Sequence, residues 1–137
     1  MKPHLLMLHG AIGASSQLQH IAGLLSPKYE IHLFDFPGHG GKGLNEENFS
    51  IELFANAVVS FLEEQKIKQV NIFGYSMGGY VALYLARHHP ELINKIITLG
   101  TKFHWNKETA ANEVKMLDPE KIAVKVPSFA KALETLH

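Results

Sequence analysis

The stretch from Val70 to Tyr80 constrains this chain more than any other. An apolar run, Val70-Asn71-Ile72-Phe73, meets Gly74-Tyr75-Ser76-Met77-Gly78, and an apolar pattern of helical spacing follows. The pentapeptide fits G-x-S-x-G, the signature of a serine at a sharp strand-to-helix turn. Such a turn leaves the serine at its tip on strained backbone. Side chains two residues before and after it would collide across the turn, so glycine is expected at both places. The same turn aims the backbone N–H groups of a helix start at whatever sits on the serine. A bland alternative, an N-cap serine in a glycine-rich turn, needs neither the preceding strand nor both glycines.

Composition narrows the setting. At 137 residues the chain is the size of one domain with a real core. Thirteen Lys and Arg balance thirteen Asp and Glu, so no net basic charge points to nucleic acid or an anionic membrane. There is no cysteine, hence no disulfide framework and no thiol chemistry. The apolar run before His9 is too short for a signal-peptide core or a membrane span, and a cytoplasmic location is expected. Asn48-Phe49-Ser50 matches a glycosylation sequon only formally.

Taken in order, Leu5-Leu6-Met7-Leu8 is an unalternated apolar run, as suits a strand buried on both faces of a parallel sheet. The small residues Gly10 to Ala14 let backbone approach a ligand, and Ser15 or Ser16 is expected to cap a helix through about Leu25. Tyr29 to Phe36 reads as the second strand, followed by a glycine-rich loop from Asp35 to Gly43. That loop is not a P-loop, because Phe36 stands where the first Gly is needed and Gly43 replaces the Ser or Thr. Ser50 is expected to cap a helix with apolar positions Ile51, Phe54, Val58, Phe61 and Leu62. Lys68 to Phe73 is the third strand, Met77 to His88 a helix ended by Pro90, and Ile93 to Leu99 a fourth strand broken at Gly100. Strand alternating with helix predicts an α/β fold with a parallel sheet. Ligands in such sheets sit beyond the carboxyl ends of the strands, which brings His9-Gly10-Ala11, the Asp35 loop, Ser76 and Thr101-Lys102 to one edge. Phe103 and Trp105 either line a pocket there or fill core. His88 and His89 match no metal-ligand spacing and are read as helix-end residues. Past Trp105 the chain is helical and more charged, with Asp118-Pro119-Glu120 as a helix start and Pro127 starting or kinking another.

Three pieces, Leu8-His9-Gly10, Asp35-Phe36-Pro37-Gly38-His39-Gly40 and Gly74-Tyr75-Ser76-Met77-Gly78-Gly79, together resemble the α/β-hydrolase fold family in order and spacing. The resemblance covers about residues 4 to 105, and the tail resembles the start of the family's helical cap. It implies a core over 1–105, a cap segment over 106–137, and the spatial strand order second, first, third, fourth. It also implies Ser76 as nucleophile, with the N–H groups of Ala11 and Met77 as oxyanion donors. Gly74, Gly78, His9 and Gly10 would be scaffold, with His9 bracing the oxyanion loop. Asp35 and His39 would likewise be scaffold rather than catalytic. The family's acid and histidine follow later strands that this stretch does not contain. Glu108 is the only carboxylate where some relatives place the acid, and His104 and His137 carry no family context.

The expected function is therefore a serine hydrolase of small esters or thioesters acting through an acyl-serine. It is expected to be incomplete here, inactive by itself, and to need no cofactor or metal. Two other readings stay open: a non-catalytic binding module on the same fold, and a haloperoxidase, C–C hydrolase or lyase variant. A small-molecule substrate is the expected partner. Self-association is also expected, through the unpaired edge of the fourth strand or an exchanged tail.

Overall fold

The computed structural model describes residues 1–43, 49–116 and 119–137. Asn48 of the formal sequon and the expected N-cap Asp118 lie outside the described residues. Strands β1 (His4–Leu8), β2 (Glu30–Phe34), β3 (Val70–Tyr75) and β4 (Ile93–Leu99) form one parallel sheet in the order β2-β1-β3-β4. This is the order the resemblance implied. Helices α1 (Gln19–Leu25), α2 (Ile51–Glu64) and α3 (Met77–His88) belong to the crossovers; α4 (Lys107–Met116), α5 (Pro119–Lys125) and α6 (Pro127–Leu136) make up the tail. No helix of the described residues is long and apolar enough to cross a membrane.

The sheet separates two apolar layers. On one side Leu6, Leu8 and Ile72 pack with Phe54, Val58 and Leu62 of α2 and Val81 and Leu85 of α3. On the other, Leu5 and Met7 pack with Leu18 and Ala22. Each fully buried side chain of this kind contributes about 1.5–3 kcal/mol. The alternation along β1 thus explains its unbroken apolar run: neighbouring residues fill opposite layers. As expected, Ser50 caps α2, its Oγ accepting the Leu53 N–H at 3.0 Å.

Three local expectations are corrected. The second strand ends at Phe34, not Phe36. Asp35 turns its carboxylate to Ser15, and the Phe36 N–H donates to the His9 imidazole at 3.1 Å instead of to the sheet. Neither Ser15 nor Ser16 caps a helix. A 3-10 turn over Ser15–Leu18 precedes α1 with Ala14 at its cap, and Ser15 gives both its N–H and its hydroxyl to Asp35 at 2.8 and 2.9 Å. The third strand is displaced along the chain, starting at Val70 and running on to Tyr75, so that pairing with β4 continues to the turn itself.

Candidate active site

The elbow is built from both neighbouring strands as well as from its own sequence. Ser76 sits at φ 50°, ψ −115°, between β3 and α3. Backbone in this region costs about 1–3 kcal/mol for a residue with a side chain and persists only where the surroundings fix it. Here β4 and the residues after it do so. The Ser76 N–H donates to the Leu99 carbonyl at 2.8 Å, and the Thr101 hydroxyl donates to the Ser76 carbonyl at 2.8 Å. The two glycines are required for different reasons. A Cβ on Gly74 would lie 2.5 Å from the backbone of Gly79, across the turn as expected. A Cβ on Gly78 would instead collide with the carbonyls of Leu8 and His9, where the start of α3 presses on the end of β1. That part of the collision argument is therefore corrected: Gly78 is forced by the neighbouring strand. Gly79, the last residue of the same motif, has no room either, because a Cβ would meet Thr101 Oγ1 and lie 3.0 Å from Thr98 Cγ2.

The loop after β1 lies against this turn, close enough that a Cβ on Gly10 would be 3.3 Å from Ser76 Cβ. Its backbone donors are almost all in use. The Ile12 N–H donates to His39 Nε2 at 3.2 Å, Gly13 N–H to the Gly10 carbonyl at 3.1 Å, and Ala14 N–H to Gln17 Oε1 at 3.1 Å. Ser15 N–H is held by Asp35. Ala11 N–H has no such partner among the described residues, and neither has Met77 N–H at the start of α3.

His9 is 1% exposed, and both ring nitrogens are used. Nε2 accepts from Phe36 N–H, so Nδ1 carries the proton and donates to the Gly10 carbonyl at 2.7 Å. Burial pushes its pKa below the ordinary histidine value; the hydrogen bond to Gly10 opposes this and the nearby His39 reinforces it. His9 thus ties the loop after β1 to the Asp35 loop in its neutral form. Asp35 lies 3.9 Å from His9 Nε2 and holds Ser15, so it is engaged away from Ser76.

Ser76 opens into a cleft of about 420 Å³ lined by Ala11, Met77, Ile51, Tyr80 and Trp105, with Lys102 and Glu113 at its polar end. Lys102 Nζ lies 3.5 Å from Glu113 and 5.0 Å from the Trp105 ring centre. A second cavity of about 640 Å³ lies between the core and the tail, and Ala11 and Met77 line both.

The sequence-derived site residues Ser76, Ala11 and Met77 are thus brought together, with Gly74, Gly78, His9 and Gly10 packed behind them. Trp105 lines the cleft, whereas Phe103 is exposed. Glu108 is exposed in the first turn of α4 and His104 is exposed as well; neither lines the cleft. Glu113, five residues further along the same helix, was not singled out but does reach it. Among the described residues no side chain hydrogen-bonds Ser76 Oγ, and no group of three His, Asp or Glu could hold a metal ion. His137 lies in the second cavity, bound to the loop backbone.

Comparison with known proteins places this geometry. A family model described as alpha/beta hydrolase fold matches residues 3–118. A pimeloyl-[acyl-carrier protein] methyl ester esterase of Aeromonas hydrophila is 37% identical over 101 residues, which cover 72% of this chain and 38% of that protein. An uncharacterized hydrolase, YugF, of Bacillus subtilis is 30% identical over 96 residues, covering 69% of this chain and 35% of the relative. The chain therefore spans well under half the length of these curated relatives. Among solved structures, NosK from Streptomyces actuosus superposes with a TM-score of 0.84 at 20% identity, covering 100% of this chain and 59% of that one. The enol-lactonase from Burkholderia xenovorans LB400 gives 0.77 at 18% identity, covering 99% of this chain and 59% of that one. At such identities the two structures speak for the fold alone.

Proposed function

This chain belongs to the alpha/beta hydrolase fold family, and we propose that within it Ser76 is the nucleophile of a hydrolase acting on small esters or thioesters. One observation carries the reading. Ser76 stands at a strained turn beside a cleft, flanked by two backbone N–H groups, of Ala11 and Met77, that give their protons to no other group among the described residues. The esterase among the curated relatives supports the ester class.

In this mechanism Ser76 Oγ attacks the substrate carbonyl carbon and loses its proton to a base. The carbonyl π electrons move onto oxygen, and the Ala11 and Met77 N–H groups stabilise that charge as it develops. Removing one donor of this kind typically costs about 10²–10³ in rate. Collapse expels the alcohol or thiol, which takes up a proton. Water then cleaves the acyl-Ser76 ester to release the acid and restore the hydroxyl. A serine hydroxyl needs an adjacent base to act at neutral pH. None of the described residues stands in that position, so in this reading the base and its acid lie outside the described residues, which by themselves are inactive. The tail helices α4 to α6 then form the beginning of a cap over the cleft.

A fluorophosphonate probe tests the proposal. Protein expressed from the complete reading frame should be labelled at Ser76, and Ser76→Ala should abolish labelling. Folded, full-frame protein that resists the probe would refute it. The base-free surroundings of Ser76 would then favour a binding module that keeps the turn as architecture.

A further inference from the structure

Ile12 follows the proposed donor Ala11 and adopts φ 56°, a left-handed conformation that is a genuine outlier for a β-branched residue. Such a residue stays there only if its neighbours over-determine it. Two imidazoles do so, one on each side of the residue. His39 Nε2 accepts the Ile12 N–H at 3.2 Å, and its Nδ1–H donates to the Pro37 carbonyl at 3.0 Å. On the other side, His137 Nε2–H donates to the Ile12 carbonyl at 2.8 Å, while its Nδ1 accepts the Gly40 N–H at 3.0 Å. The two rings meet edge to face with centres 5.8 Å apart, and His39 in turn lies 5.1 Å from His9. His39 comes from the loop after β2, whereas His137 ends the segment that begins with α6. The tail thus reaches the backbone residue next to the proposed oxyanion donor.

We propose that His39 and His137 are positioning residues for the oxyanion loop: together they clamp Ile12 in its left-handed conformation and so aim the Ala11 N–H at the oxygen on Ser76, and docking of the α6 segment through His137 completes the hole. Neither imidazole lines the cleft at Ser76. Each acts through the peptide backbone, so loss of either lets the loop relax and turns the Ala11 N–H away from the developing charge. The orientation of the two rings fits the role. Each uses one nitrogen as donor and one as acceptor, so each satisfies two backbone groups at once. A glutamine at 137 keeps one donor and one acceptor, whereas alanine keeps neither.

The catalytic half of this inference rests on the serine-hydrolase reading; the clamp itself does not. Two measurements on the full-frame protein separate them. Amide hydrogen exchange followed at residue level reads the clamp. His137→Ala should speed exchange at Gly40, and His39→Ala at Ile12, each by about tenfold or more, since each loses the group its N–H donates to. Hydrolysis of an activated acetyl ester reads the positioning. His137→Ala should lower kcat by about tenfold with KM changed less than twofold, because the donor acts on charge present only in the transition state. His137→Gln should restore most of both readouts. Exchange rates unchanged in both alanine variants would overturn the clamp, whatever the activity. Faster exchange with kcat unchanged would overturn the positioning role. Wild-type protein without esterase activity would remove the hydrolase reading while the exchange data still judged the clamp.

Discussion

Replacing His9 by leucine removes one hydrogen-bond acceptor and one donor from a site that water does not reach. The imidazole is 1% exposed and Phe36 is fully buried, so the Phe36 N–H loses its only partner among the described residues. The Gly10 carbonyl loses the 2.7 Å bond from Nδ1–H but keeps the one from Gly13. An orphaned buried group costs about 1–3 kcal/mol and a lost bond to a group that keeps another about 1 kcal/mol, so His9→Leu should destabilise the fold by about 2–4 kcal/mol. Leucine is close enough in volume that a large cavity term does not enter. Urea denaturation followed by circular dichroism would measure the loss. The same site sets a sign for pH. Burial lowers the folded-state pKa of His9, so between that value and the ordinary 6.5 the unfolded chain binds more protons. Stability should therefore rise with pH across this window and fall on acidification, when the added proton on Nε2 would face the Phe36 N–H. His32, lowered first by burial and then by the His4 ring 2.9 Å away, contributes in the same direction and remains in the variant. His9→Leu should accordingly show a shallower acid limb as well as a lower plateau. A loss below about 0.5 kcal/mol, the range of ordinary surface substitutions, would refute the account of His9 as a buried brace.

Two further outcomes follow from close approach and from the sheet edge. Gly74→Ala puts a Cβ 2.5 Å from immovable backbone of Gly79 and should cost about 3 kcal/mol or prevent folding, whereas Gly23→Ala in α1, with nothing within 4 Å, should stabilise by about 0.5–1 kcal/mol; thermal melts of the two variants check the contrast. Among the described residues β4 pairs with β3 alone and exposes Ile97 (66%) and Leu99 (53%), so these 137 residues in isolation should self-associate through that edge, and Ile97→Lys should shift them toward monomer. Multi-angle light scattering at micromolar concentration reads both, and a monomeric wild type would contradict the expectation.

What could be read from the sequence was what neighbouring residues encode together. The unbroken run Leu5 to Leu8 and the Ser50 cap carry their structure within a few residues, the Gly74-Tyr75-Ser76-Met77-Gly78 turn is marked by its own spacing, and each element appears where expected. The strand order was implied by the resemblance to the α/β-hydrolase fold family, which three motifs carry together and none carries alone. What was lost is what depends on partners far along the chain. Ser15 has the composition of a cap, yet Asp35, 20 residues later, offers its hydroxyl and amide a charged acceptor, and a charge-assisted bond outweighs a neutral cap. Gly78 was expected for the right residue type and the wrong cause, since only the fold brings β1 carbonyls against the start of α3.

The same reasoning applies to His137. As sequence, His137 is a lone histidine after an amphipathic helix, with neither motif nor spacing to recommend it. Its partners Gly40 and Ile12 lie 97 and 125 residues away, and no local pattern can encode a pairing at that distance. The signal that could have drawn attention to it lies at the other end: Ile12 is a β-branched residue between two small loop residues, where a left-handed turn calls for glycine. A bulky residue held in such a conformation implies side chains from elsewhere that keep it there. His39 was read only as scaffold of its own motif, and the fold brings it to the Ile12 N–H. The Ile12 carbonyl still required a donor, and only the folded chain reveals that α6 supplies it. On this view the tail does more than line the second cavity. It contributes one of the two imidazoles that hold Ile12, the neighbour of the proposed oxyanion donor, so the aim of that donor depends on a histidine 125 residues beyond Ile12.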